Sequence, residues 1–132
     1  MCIGYLRNLL EQLAARADLP AVVETGSVTI VVRRRSFAEG LQGSVIELGR
    51  YAVGDARVAC ALLELLQGVA TAAVAAGATC RLPAITEAIE AVSDPALADA
   101  RTDLDRALLT SRGAAARAAA RGEFEITSPT AR

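Results

Sequence analysis

Apolar positions recur at helical spacing over most of the chain, and the period changes in one short interval. Leu6, Leu9, Leu10, Leu13 and Ala17 fall on one broad face of a helix over residues 3–18, with Asn8, Gln12 and Arg16 opposite. Asp18-Leu19-Pro20 closes that helix, because proline disfavours helical geometry in the residue before it. Two β-branched runs follow, residues 21–24 and 28–33, joined by Thr25-Gly26-Ser27, which spells a β-hairpin. Ser36-Phe37-Ala38-Glu39 is a capping box for a second helix reaching Val53, with Phe37, Leu41, Val45, Leu48 and Ala52 on its core face. Gly40, Gly43 and Gly49 weaken that helix by about 1 kcal/mol each relative to alanine, and close approach of a neighbouring helix is the expected compensation.

Asp55 caps a third helix ending near Gly77. Val58, Leu62, Leu65, Val69, Ala73 and Ala76 share one stripe of it, and Arg57, Glu64 and Thr71 share the opposite one. From Val58 to Cys80 the only charge is Glu64, so its length is close to that of a membrane span. The amphipathic pattern and the alanine content assign it instead to a protein core. A fourth helix is expected over residues 79–92, with Pro83 near its start. Ser93-Asp94-Pro95 then opens a fifth, carrying Leu97, Ala100, Leu104 and Leu108 and ending near Gly113. The run Ala114–Ala120 either extends that helix or frays.

The fold class read from this pattern is mainly α, a helical bundle of about five helices with a small β-hairpin after the first. Residues 1–113 form a single helical domain with the hairpin at 21–33, and residues 114–132 form an Ala/Arg-rich extension and flexible tail.

Composition narrows the chemistry. The 132 residues include 29 Ala and 16 Leu, no His and no Lys, and all 14 basic residues are Arg. Histidine general bases, histidine metal ligands and Schiff-base lysines are therefore excluded. No G-x-S-x-G motif marks a nucleophile, and the expectation is no enzyme and no cofactor. The net charge of −1 lacks the basic excess that duplex binding requires, so no nucleic-acid partner is expected. Cys2, Cys60 and Cys80 are odd in number and follow no secretory leader, which points to a reducing, cytoplasmic setting with core thiols. Glu87 with Glu90, and Asp99 with Asp103, pair acids on single helix faces opposite the apolar stripe, as solvated faces do.

The candidate sites are few. Arg33, Arg34 and Arg35, with Arg50, are the candidate anion-binding residues, since arginine suits bidentate contacts. Glu47, Arg50, Asp55, Arg57 and Glu64 form a polar stripe suited to ion pairing around an interhelical turn. Val28, Ile30 and Val32 on one side of the second strand, with Val31 on the other, are the candidate interface residues.

The stretch Ser36–Leu41, then Leu48-Gly49-Arg50-Tyr51-Ala52-Val53-Gly54-Asp55, Val58 and Leu62–Leu66, resembles the soluble C-terminal domain of a bacterial family of predicted membrane proteins of unknown function. Phe37, Arg50, Tyr51, Asp55, Val58 and Leu62 are the matching positions. The family's transmembrane helices and its Pro-Gly-Asn-Asp-Pro-type segment have no counterpart here, so the resemblance implies a soluble stand-alone relative or fragment. It implies no activity.

The functional expectation is a non-enzymatic helical interaction or assembly module, self-associating as a homodimer or joining another protein. The alternative is a small-ligand or anion binder using the arginine cluster. No transmembrane segment is expected, and peripheral membrane association is compatible with the pattern.

Overall fold

The computed structural model describes residues 2–18, 22–31 and 35–123. Its centre is the most apolar helix, α3, Ala56–Ala75, which packs against α1 (Cys2–Ala14), α4 (Leu82–Ala98) and α5 (Asp103–Ala120). The Asp55 carboxylate starts α3 by accepting from the amides of Arg57, at 3.0 Å, and Val58, at 3.3 Å. Leu62, Leu63, Leu65, Leu66 and Val69 are all buried, and only Arg57, Thr71 and Ala75 of the helix are exposed. By length and composition α3 could cross a membrane; here α1, α4 and α5 pack against it, and 44% of its most apolar stretch is buried. Gly77, at φ 70°, ends it, with the Ala78 amide donating to the Ala73 carbonyl at 2.8 Å.

The second helix, α2, is one continuous run in three parts: Phe37–Leu41, a π-helical turn Gln42–Ile46, and Glu47–Tyr51. The capping box forms: Ser36 Oγ accepts from the Glu39 amide at 3.2 Å, and Glu39 Oε2 accepts from the Ser36 amide at 2.7 Å. The wide turn has a packing consequence. An i, i+4 ladder on a pure α-helix drifts by about 40° per step. The wider turn offsets that drift, so Phe37, Leu41, Val45 and Gly49 all remain buried. Gly49 is where α2 meets α4, since a Cβ there would stand 2.9 Å from Val92 Cγ2. The expected close approach therefore holds at Gly49 only. A Cβ on Gly40 meets open space, and one on Gly43 meets only Arg35 Nη1, at 3.7 Å.

The helix expected to start at Ser93 does not start there. α4 runs straight through Pro95 to Ala98. Val92, Ser93 and Ala96 are buried while Pro95 faces outward, so burial of one helix face overrides the local stop signal. The break falls later, where Thr102 Oγ1 accepts from the Asp105 amide at 3.0 Å and caps α5. α5 then passes Gly113 and continues to Ala120, with Ala116, Ala119 and Ala120 buried, so the alanine run extends the helix.

The first helix also ends early, at Ala14 rather than at residue 18. Its core face is Leu10 and Ala14, flanked by Ile3 and Leu6, whereas Leu9 and Leu13 are exposed beside Tyr5. The hairpin pairs β1 (Val22–Thr25) with β2 (Val28–Val31) in antiparallel register, Val22 opposite Val31 and Val23 opposite Ile30. Gly26 takes φ 59° in the turn. Every strand residue is exposed. The helices therefore cover neither face, where the pattern of apolar residues implied that they would cover one.

Candidate functional site

Two places combine shape with polar chemistry, and a third offers apolar surface. The first lies where the end of α1, the start of α2 and the 3-10 turn Thr79–Arg81 meet. Arg81 is only 7% exposed. Its guanidinium donates to the Arg16 carbonyl and, at 3.1 Å, to Asp18 Oδ1, and lies 4.5 Å from the centre of the Phe37 ring. A buried guanidinium needs such charge-assisted and ring-face partners to offset its lost hydration. Beside this arginine opens a cavity of 200 Å³, with Leu10, Leu13 and Phe37 as its apolar wall and Arg35, Ser36, Asp18 and Arg81 as its polar rim.

The second is an open groove of 560 Å³ between α1, α3 and α5. Arg7 bonds Glu11 at 2.7 Å on one side, and Arg112 bonds Glu64 at 3.0 Å on the other. Gly68 forms the floor and leaves room for the Arg7–Glu11 pair to lie against the backbone. Each charge is already matched, so the groove has no net preference for an anion or a cation.

The third is the hairpin. Cross-strand register puts Val23, Thr25, Val28 and Ile30 on one face and Val22, Glu24, Thr29 and Val31 on the other. Val31 is 71% exposed and Ile30 49%. Val28, on the same face as Ile30, is exposed as well. Val32, Arg33 and Arg34 lie outside the described residues.

Of the arginines expected to act together, Arg35 folds back over Gly43, and Arg50 lies further along α2, bonded to Glu47 at 2.8 Å. The polar stripe likewise resolves into separate tasks: Glu47 pairs with Arg50, Asp55 caps, and Glu64 reaches across to Arg112. Glu87, Glu90, Asp99 and Asp103 are exposed, and no cluster suited to a metal ion occurs among the described residues.

Sequence reasoning missed Arg81, Ser93 and Arg117. Ser93 is buried, and its hydroxyl accepts from Arg117 Nη2 at 2.8 Å and donates to Asp94 Oδ1 at 3.3 Å. Those bonds satisfy a hydroxyl enclosed by α5. The half-buried Cys60 thiol is pushed up by burial, opposed by the charge of Arg112 and reinforced by Glu64 and Asp105. Such a thiol stays protonated and is a poor nucleophile. No protein-family model matches the chain, and neither a curated protein nor a solved structure matches it.

Proposed function

We propose that this chain is a non-enzymatic assembly module that joins a second copy of itself through the hairpin. The observation that carries the reading is the exposure of both faces of a two-stranded sheet bearing Val22, Val23, Val28, Ile30 and Val31. A hairpin with four residues per strand is marginal alone in water and gains stability from added strands or a covering surface. Its outer edges offer unpaired amides and carbonyls, and an antiparallel edge is complementary to its own two-fold copy. The absence of His and Lys from the sequence removes histidine general bases and Schiff-base lysines.

Five hairpin side chains fall short of the roughly 800 Å² per partner that a standard interface covers. We therefore extend the proposed interface to the exposed Tyr5 and Leu9 on α1. Light scattering on the eluted peak tests this reading. The expected mass is twice 13.6 kDa at tens of micromolar, and a mass near 13.6 kDa rejects it.

A further inference from the structure

We infer that the cavity at the α1–α2 junction binds a small monocarboxylate with an apolar body, a medium-chain fatty acid in kind. The inference is independent of the assembly reading.

The wall and the rim of the cavity ask for different things. Leu10, Leu13 and Phe37 offer apolar surface, and nothing on that wall can hydrogen-bond a ligand's interior. Among the described residues the rim carries Arg35, Arg81 and Asp18, two positive charges and one negative, an excess of one positive charge. One carboxylate neutralises that excess, while a phosphate dianion would overshoot it. At 200 Å³ the cavity is below the range of drug-sized sites, which sets the ligand's size.

The Arg81 and Ser36 donors are held in place before any ligand arrives. Asp18, the Arg16 carbonyl and the Phe37 ring fix the Arg81 guanidinium. An arginine carries five N–H donors, so those two acceptors leave it capacity for another. The Ser36 hydroxyl accepts from the Glu39 amide and keeps its own hydrogen to donate. Arg35 is exposed and lies against Gly43, so it can swing onto a bound carboxylate at the entrance. Preorganised donors reduce the entropy lost on binding. The cavity also explains Gly40, which lines it and whose missing side chain no helix contact requires.

Octanoate titrated into the full chain tests this, followed by amide chemical shifts and by calorimetry, with octan-1-ol as the uncharged comparison. The expected result is saturable octanoate binding with the largest shifts at Leu13, Phe37 and Gly40. Gly40→Leu should abolish binding while the protein stays folded, because the new side chain enters open space. Arg35→Gln, at an exposed position, should weaken octanoate about tenfold or more and leave octan-1-ol unchanged. Binding of octanoate no tighter than octan-1-ol, or an Arg35→Gln affinity equal to that of the parent, overturns the inference. So does octanoate bound by Gly40→Leu as tightly as by the parent.

Discussion

Two glycines of one helix separate the effects of backbone and neighbour. Gly40→Ala adds a methyl to open space and removes backbone entropy from the unfolded chain, so it should stabilise by about 0.5–1 kcal/mol. Gly49→Ala makes the same propensity gain but drives a methyl into Val92, 2.9 Å away, and should destabilise by about 1–3 kcal/mol. Urea midpoints moving in opposite directions would bear this out; a shared direction would contradict it. Asp55→Ala should cost about 1 kcal/mol by freeing the Arg57 and Val58 amides, read from the same midpoint. Cys60 makes a pH-dependent contribution. Burial raises its thiol in the folded state, so the unfolded chain ionises this group first. The stability from keeping it protonated is whole below the ordinary cysteine range and is lost as pH rises through the folded value. The advantage of the parent over Cys60→Ala should therefore shrink as pH rises above about 8.5, the ordinary cysteine value, in denaturation series, and a gap that widens with pH would refute the assignment.

At the scale of elements, the signals that rest on local chemistry were legible and those that rest on neighbours were not. The Ser36 capping box, the Asp55 cap, the Gly77 stop and the hairpin turn at Gly26 each place their determinants within a few residues, and all formed. Ser93-Asp94-Pro95 carries equally good local chemistry for a helix start. It lost because Val92, Ser93 and Ala96 are all buried on one continuous helix. Arg81 was invisible for the converse reason: nothing near it in sequence announces that Phe37, Arg16 and Asp18 converge there from at least 44 residues away. The α1 stripe was half right, because Leu10 is buried and Leu6 packs against the core while Leu9 and Leu13 are exposed. Pro95→Ala tests the α4 reading. It restores an amide in the middle of a helix, where proline costs up to about 3 kcal/mol, and should raise the urea midpoint. A lowered midpoint would mean that the proline itself shapes α4.

For the whole molecule, one well-covered core coexists with an uncovered arm. Leu62, Leu65, Leu66, Ile85, Ile89 and Leu109 join α3, α4 and α5 into one apolar interior. None of that core reaches the hairpin. Stability and assembly should therefore come apart on mutation. Ile30→Arg or Leu9→Arg should shift the light-scattering mass from dimer to monomer while circular dichroism keeps its helical signal. Leu66→Ala, at a fully buried position, should cost about 2–5 kcal/mol of unfolding free energy. A dimer that survives both arginine variants would move the contact elsewhere, and the exposed Tyr51 with Leu48 and Val53 would be the next surface to probe.

The wide turn at Gln42–Ile46 gives α2 one residue more than an ordinary α-helix of the same span would hold. Removing one exposed residue there, Gln42 for instance, would let the turn close into ordinary α-helix and leave everything beyond it in nearly the same orientation. Gly49 would still meet Val92, and the Asp55 cap would still start α3. A second deletion has no spare residue to draw on and would rotate the far end of α2 by about 100°. One deletion within residues 42–46 should therefore be absorbed and two should not. Soluble yields of single and double deletions across this turn would show whether α2 carries a residue in reserve.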